Sequence, residues 1–327
     1  MRTGLTYDLR SDYLKEGFSP EETAEFDKEE TIDSIETALK ENGYETFRIG
    51  NARHLIKALA AGEKWDIVFN ICEGMYGDGR ESLVPALLDA YKIPYVFSGA
   101  VTLGISLNKA YTKRIVRDSG ILTPDFYVVE NPGQTGNCHL NFPLFAKPVA
   151  EGTGKGIDGK SVISDADELT KVCTGLLKKF GQPVLIEEFL PGREFTLGII
   201  GNGEHASVIG GMEVIYSECA GNIYSYFNKE NYKDLIQYRP LEGKLLQNCA
   251  TVSLRIWNVL NAHDGGRIDL RMDRKGNINF LEINPLAGLN PVHSDLPIIA
   301  RFNGISYTEL IGRIMRAACD RINAKYD

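Results

Sequence analysis

The side chains best suited to chemistry in this sequence lie between residues 267 and 284. Two runs that alternate apolar and polar residues flank a turn-forming stretch with a glycine, which predicts a β-hairpin. A turn centred directly before Gly276 places Asp269 opposite Glu282. The same register places Arg267 opposite Asn284, so all four polar side chains project from one face.

The apolar residues of this hairpin are predicted to point the other way, into a core: Ile268, Leu270, Leu281 and Ile283. Two facing carboxylates repel each other unless a positive charge lies between them. Carboxylate and amide oxygens suit Mg²⁺, so the pattern favours a metal site. A solvated hairpin face balanced by an arginine is the alternative. The loop at residues 285–291, which contains two prolines and a glycine, favours the functional interpretation.

Composition limits the class of protein. The chain has 327 residues, enough for two or three domains, and its net charge of −8 argues against a nucleic-acid partner. No apolar run is long enough to cross a membrane, and the acidic start lacks the apolar stretch of a signal peptide. Six scattered cysteines without a CxxC pair indicate reduced thiols and a cytoplasmic protein.

The first third of the chain alternates strands and helices. Strands are predicted at residues 2–7, 44–49, 65–70 and 95–98, with helices at 31–42, 51–61 and 82–91. This order implies a parallel sheet covered by helices, which binds ligands at the carboxyl ends of its strands. The glycine-rich loop at residues 70–79 lies at such an end, and Glu73 and Asp78 are equally consistent with loop solvation or function.

The middle of the chain contains a second glycine-rich loop, at residues 151–157. Three glycines in five residues let backbone N–H groups turn toward an anion, and Lys147 and Lys155 favour a phosphate cradle over a flexible hairpin tip. The nearby match to the Walker pattern is rejected, because a strand and not a helix is predicted to follow it. A basic helix is predicted at 108–119, with Lys113 and Arg117 on its solvated face.

The last third begins with strands at 184–188, 195–200 and near 206–212. Residues 213–240 are long, polar and aperiodic, which is typical of a lid or a disordered segment. Helices are predicted at residues 241–260 and 306–324, and the second of them is expected to pack on the last domain.

Taken together, the ordered motifs resemble those of the D-alanine–D-alanine ligases of the ATP-grasp superfamily over nearly the whole chain. The matching pieces are Asn70…Glu73-Gly74, Ile93-Pro94-Tyr95, Asn108-Lys109, Lys147-Pro148…Glu151-Gly152-Thr153, Glu187-Glu188-Phe189, Gly192-Arg193-Glu194, Arg267-Ile268-Asp269 and Glu282-Ile283-Asn284. The resemblance implies an α/β protein, α+β overall, with an ATP-grasp fold. It implies a Rossmann-like parallel-sheet domain at residues 1–106, a central ATP-grasp subdomain at 107–189 and a C-terminal one at 190–327, with a mobile loop at 215–240.

The same resemblance assigns functional residues. Those expected to bind ATP are Lys109, Lys147, Glu151, Glu187, Glu188, Phe189 and Glu194. Two Mg²⁺ ions, for which Mn²⁺ can substitute, are expected on Asp269, Glu282 and Asn284. Catalytic roles are expected for Arg267, the N–H of Gly288, Lys229 and Thr153, and substrate contacts for Glu73 and Ser294.

The implied activity is an ATP-dependent ligase that joins a carboxylate to an amine, with small carboxylic acids and amino acids as substrates and a homodimer as the assembly. Three family residues around the first substrate are replaced: Tyr7-Asp8-Leu9-Arg10 stands where a glycine-rich turn carries a glutamate, Thr153 replaces a serine, and Glu230 replaces a tyrosine. The sequence therefore does not determine the identity of the first substrate. A thiol, hydroxyl or carrier-protein acceptor, or a non-catalytic ATP sensor, remains an alternative.

Overall fold

The computed structural model of the chain describes residues 1–216 and 236–324. Its strands are β1 (Arg2–Tyr7), β2 (Glu45–Gly50), β3 (Ile67–Ile71), β4 (Tyr95–Val96), β5 (Phe126–Val129), β6 (Leu144–Pro148), β7 (Val162–Ile163), β8 (Val184–Glu188), β9 (Glu194–Ile200), β10 (Ser207–Tyr216), β11 (Ile236–Pro240), β12 (Gly265–Met272) and β13 (Ile278–Asn284). Its helices are α1 (Arg10–Lys15), α2 (Glu29–Glu41), α3 (Ala52–Ala60), α4 (Leu83–Ala90), α5 (Ala100–Leu107), α6 (Lys109–Asp118), α7 (Ala166–Phe180), α8 (Gly243–Val259), α9 (Asp295–Phe302) and α10 (Tyr307–Asn323).

The N-terminal sheet is parallel, with strand order β2-β1-β3-β4, as the alternating pattern predicts. Asn51 caps α3, because its side chain accepts hydrogen bonds from the N–H groups of Arg53 and His54. The strand predicted at residues 95–98 is shorter than expected, since only Tyr95 and Val96 pair with β3.

The central sheet is antiparallel, with strand order β5-β8-β6-β7, and α7 packs against it. Helix α7 begins at Ala166 and is capped by Asp165, whose side chain accepts a hydrogen bond from the Glu168 N–H. Lys160 lies in a turn before β7. The Walker-like match therefore has no helix N-terminus to face a phosphate, and its rejection is confirmed.

The C-terminal sheet is antiparallel, with strand order β11-β10-β9-β12-β13. It corrects the prediction of an aperiodic lid over residues 213–240. Residues 213–216 extend β10 and pair with β11, from Glu213 opposite Arg239 to Tyr216 opposite Ile236. The two ends of this polar segment form strands because Val214 and Ile236 are buried there. The residues between them lie outside the described part of the chain.

Helix α10 packs on the last domain as predicted, and it also packs against α2. Its buried stripe, which includes Leu310 and Ile314, belongs to one core with Ile35 and Leu39 of α2, as well as with residues of the last domain. Arg321 of α10 also forms an ion pair with Asp264 at 2.7 Å. The C-terminal helix therefore joins the first and last parts of the chain.

Each of the three sheets falls within one of the three predicted domains, and the domain boundaries themselves stay a prediction. Within residues 1–216 and 236–324, no helix combines the length and the apolar character needed to cross a membrane.

Candidate active site

The β12–β13 hairpin presents its polar residues in the predicted register. Arg267 lies opposite Asn284, and Asp269 lies opposite Glu282. The register is not uniform along the hairpin, although the prediction assumed that it was. After Asp269 it shifts by one residue, so Leu270 pairs with Phe280 and Leu281 has no partner on β12. The strands are thus offset by a β-bulge, a feature that re-aims side chains beside functional sites.

Leu281 is the residue that the bulge displaces. The sequence predicts it in the core with Ile268 and Ile283, which are indeed buried. In the structure, Leu281 is half-buried and lines a cavity beside Glu282. The predicted core position is therefore wrong, because one extra residue in β13 breaks the strict alternation of faces.

The Asp269 carboxylate is buried among charged groups. It accepts a hydrogen bond from Thr196 Oγ1 at 2.9 Å and pairs with the Arg267 guanidinium, which also lies 3.5 Å from Asp295 Oδ2. Burial raises the pKa of Asp269 against the effect of Arg267, and the carboxylates of Glu282 and Asp295 raise it further. The cluster therefore has more negative than positive charge.

This donor set suits a divalent cation. Two carboxylates and the Asn284 amide project from adjacent strands, and oxygen donors of this kind are those that Mg²⁺ prefers. In the described part of the chain, no three carboxylates, imidazoles or thiols converge to form a complete metal cage. The set thus fits an ion that takes its remaining ligands from water or a phosphate, which is how Mg²⁺ is usually bound.

A buried ion triad lies behind the same cavity. Glu187 of β8 binds Lys113 Nζ at 2.6 Å and Lys147 Nζ at 2.8 Å. Burial alone would raise the pKa of Glu187, but the two ammonium groups hold it below its ordinary value. Burial lowers the pKa of Lys113 to about 8, because Lys147 adds to the effect and Glu187 only partly opposes it. The prediction that Lys113 is solvated is wrong, whereas Arg117 is exposed as expected.

Replacement of Glu187 by leucine is expected to lower the free energy of unfolding by about 3–5 kcal/mol, since it leaves two buried ammonium groups without their counter-charge. Urea denaturation measures the effect. The matched control is Glu309→Gln, which breaks an exposed pair with Arg313 and should change stability by less than about 1 kcal/mol. Equal stabilities of the two variants would contradict the structural role of the triad.

The cavity beside Leu281 and Glu282 is lined by further polar side chains. Glu194 accepts a hydrogen bond from the Tyr216 hydroxyl at 2.8 Å and pairs with Arg271 at 3.0 Å. Arg271 also stacks over Phe189, 5.3 Å from the ring centroid. Glu188 is partly exposed and accepts from the Asn141 side chain at 2.9 Å. An aromatic ring beside fixed carboxylates can hold a base and a ribose.

The second glycine-rich loop closes over this cavity. Lys109 at the start of α6 donates to the Glu151 carbonyl and lies 3.6 Å from Glu282 Oε2, so it connects the loop to the hairpin. Thr153 takes a φ of +50°, and its buried hydroxyl has no hydrogen-bond partner among the described residues. A buried hydroxyl of this kind is available to a ligand.

These elements enclose two cavities that meet at the hairpin. The first is lined by residues that include Lys109, Lys147, Glu151, Thr153, Glu187, Glu188, Phe189, Glu194, Arg267, Asp269 and Glu282. The second is lined by residues that include Glu73, Lys109, Glu151, Thr153, Arg267, Glu282, Asn284, Gly288 and Ser294. Every described residue assigned from the sequence therefore lines at least one cavity. Lys229 lies outside the described residues, as do Glu230 and the other residues of the predicted mobile-loop motif.

The far end of the second cavity is acidic. Burial raises the pKa of Glu73 well above its ordinary value, and the carboxylates of Glu81 and Glu25 add to the effect. Burial also raises the pKa of Asp27 to about 7, with Asp8 as a further contributor. An environment that disfavours ionised carboxylates favours a cationic ligand group beside them.

The pH dependence of stability tests the environment of Asp27. Its raised pKa means that the folded state keeps a proton which the unfolded chain releases from about pH 4 upward, so stability is lost as pH rises toward 7. Asp27→Asn cannot ionise and should avoid a loss on the order of 4 kcal/mol. The difference in Tm between variant and wild type should therefore be more positive at pH 8 than at pH 4. An equal difference at both pH values would contradict the assignment.

Sequence reasoning missed several residues of the site. Lys113 could have been recognised, because it lies four positions after Lys109 on the face of α6 that carries Val116. Glu25, Asp27 and Arg80 had no comparable signal. Glu25 and Asp27 lie in the segment before α2, and Arg80 begins a short 3₁₀ helix, so tertiary packing alone brings them to the site.

Comparisons with known proteins agree with this architecture. The family model described as D-ala D-ala ligase C-terminus matches residues 115–316. A D-alanine–D-alanine ligase of Aquifex aeolicus is 34% identical over 285 residues, which cover 86% of this chain and 92% of that protein. The uncharacterized protein y4sG of Sinorhizobium fredii is 30% identical over 300 residues, which cover 88% and 86% of the two chains. The crystal structure of D-alanine–D-alanine ligase from Bacillus anthracis complexed with ATP matches over 100% of both chains, with a TM-score of 0.73 and 23% identity.

The fold is the ATP-grasp fold, and the protein is an ATP-dependent ligase that forms a carbon–nitrogen bond between small molecules. The chain belongs to the D-alanine–D-alanine ligase family. These findings confirm the fold class, the family and the general activity expected from the sequence. They favour that activity over a non-catalytic sensor and over a ligase with a thiol, hydroxyl or carrier-protein acceptor.

Proposed function

We propose that this protein uses ATP to convert the carboxylate of an amino acid into an acyl phosphate, which the amine of a second substrate then attacks. The observation that carries the proposal is the junction of the two cavities, where Lys109, Arg267 and Glu282 line both. A nucleotide in the first cavity would direct its γ-phosphate to that junction, beside an acid in the second. Activation is needed because a carboxylate is a poor electrophile.

The residues at the junction and beside it in either cavity have distinct roles in this proposal. Asp269, Glu282 and Asn284 would hold two Mg²⁺ or Mn²⁺ ions, which neutralise charge on the transferring phosphoryl group. Lys109 and Lys147 supply fixed positive charge to the phosphates. The buried guanidinium of Arg267 and the N–H of Gly288 stabilise the oxyanion that forms when the amine attacks.

The remaining roles concern the nucleotide and the two acids. Glu187, Glu188 and Phe189 would contact the adenine, Glu194 would bind the ribose, and Glu151 and Thr153 would cover the phosphates. The carboxylates that line the far end of the second cavity, Glu73 among them, would face the ammonium group of the donor. Ser294 would bind the carboxylate of the acceptor, and Lys229 is expected at the γ-phosphate.

A panel of D- and L-amino acids tests the proposal. Purified protein with MgATP is assayed for phosphate release with each amino acid alone and in pairs, and hydroxylamine is added as a substitute acceptor that traps an acyl phosphate as a hydroxamate. We expect at least one amino acid to form a hydroxamate and one pair to release stoichiometric phosphate. Nucleotide binding without phosphate release for any pair would contradict the proposal. The homodimer, the cytoplasmic location and the absence of nucleic-acid and membrane partners stay predictions.

A further inference from the structure

The segment between β1 and α2 places one carboxylate far from its own sheet. Glu25 belongs to this segment, yet its side chain reaches the glycine-rich loop between β6 and β7 and is only 6% exposed. Nothing in the local sequence of residues 8–28 indicates this contact. The carboxylate therefore connects the N-terminal part of the molecule directly to the loop that covers the first cavity.

Both oxygens of Glu25 are engaged there. Oε1 accepts from the Gly152 N–H, and Oε2 lies 2.7 Å from Arg80 Nη2 and 3.4 Å from Lys155 Nζ. Arg80 also donates to the Ala150 carbonyl at 2.8 Å. A Cβ at residue 152 would lie 2.6 Å from Glu25 Oε1, so any larger residue there would displace the Glu25 carboxylate. These contacts fix the loop backbone at Ala150 and Gly152, on either side of Glu151.

Carboxylates and cations are in direct contact in this cluster. Glu25 and Glu151 face Arg80 and Lys155, whose side chains are only 9% and 8% exposed. Burial would raise the pKa of Glu25, but the charges of Arg80 and Lys155 hold it below its ordinary value, so the group is ionised near neutral pH. Buried hydrogen bonds to an ionised group are stronger than those at a surface.

We propose that Glu25 is a positioning residue that fixes the glycine-rich loop over the phosphates and links that loop to the second cavity. Gly152 and Thr153 line both cavities, and Glu25 itself lines the second. Movement of the Glu25 carboxylate therefore moves the loop residues beside the phosphates. The inference rests on the proposed function only in that the first cavity binds ATP.

Hydrogen exchange and nucleotide binding test this role without any need for turnover. In Glu25→Ala, amides in a peptide spanning residues 150–158 should exchange at least about tenfold faster, because a charged hydrogen bond to the loop is lost. The dissociation constant of MgADP, measured by calorimetry, should rise at least about tenfold. Glu25→Gln keeps an acceptor for the Gly152 N–H and should fall between Ala and wild type in both measurements.

The matched control is Glu21→Ala. Glu21 joins the same two parts of the molecule through an exposed ion pair with Lys179, and such pairs contribute little. It should leave loop exchange and MgADP binding unchanged. A merely structural Glu25 would lower Tm without changing MgADP affinity, and that result would overturn the proposal. If Glu25→Ala does not fold, Glu25→Gln decides, since wild-type exchange and affinity in that variant would refute the role. Failure of the amino-acid panel with these results intact would refute only the proposed reaction.

Discussion

Replacement of Glu282 by glutamine is expected to reduce ATP-dependent phosphate release by at least about 10³-fold, equivalent to about 4 kcal/mol of barrier. Glutamine preserves the shape of the side chain but removes one of the two facing carboxylates at the junction of the cavities. In the proposed reaction, loss of that charge would weaken the binding of divalent cations and leave the transferring phosphoryl group less neutralised. The amino-acid pair identified by the panel serves as substrate.

The same variant should remain folded. The Glu282 side chain is 28% exposed at the cavity, where repulsion from Asp269 on the opposite strand opposes its ion pair with Lys109 at 3.6 Å. Because the two effects offset each other, we expect the Tm to change little. Glu309→Gln, at an exposed pair on α10, is the control for a neutral change from carboxylate to amide. Turnover of Glu282→Gln close to that of the control would eliminate the metal assignment.

Replacement of Arg267 by lysine is expected to reduce kcat by about 10²-fold or more, the usual cost of losing an oxyanion donor. The planar guanidinium is held between Asp269 and Asp295, which fixes its direction toward both cavities. A lysine ammonium keeps the charge but not the fixed planar set of donors. Because the donor acts mainly in the transition state, the KM for ATP should change little.

Arg193→Lys provides the comparison for Arg267→Lys. Arg193 also binds a carboxylate through two nitrogens, at 2.7 and 2.8 Å from Glu213, but it lies outside the lining of both cavities. We expect its kcat to stay within about twofold of wild type, since it makes no contact with the reacting groups. Similar activities for the two variants would remove Arg267 from the proposed chemistry. An unchanged kcat with a raised KM would instead assign it to substrate binding.

Local pattern determined the elements that carry the site. The alternation of apolar and polar residues around a glycine turn predicted the β12–β13 hairpin and the pairing of Asp269 with Glu282. The parallel N-terminal sheet followed from alternating strands and helices, and the missing helix after Lys160 excluded a P-loop. These predictions depend on periodicity and turn chemistry, which act over a few neighbouring residues.

Tertiary packing decided the remaining features. The β-bulge that directs Leu281 toward the first cavity shifts the strand register by one residue. No local sequence pattern indicates where this extra residue is inserted. Lys113 appears solvated in a basic helix, but Glu187 from a distant strand meets it in the interior. Residues 213–216 became strand because β11 supplies the hydrogen-bond partners that the segment lacks alone.

The sequence alone thus determined the fold class, the hairpin that carries the proposed metal ligands, and the family to which the chain belongs. Only the tertiary structure revealed that Glu25 and Arg80 hold the glycine-rich loop and that the far end of the second cavity is acidic. The physical reason is the separation along the chain over which each interaction acts. Periodicity and turns depend on neighbours in the chain, whereas a buried ion pair depends on groups that meet only when distant segments fold together.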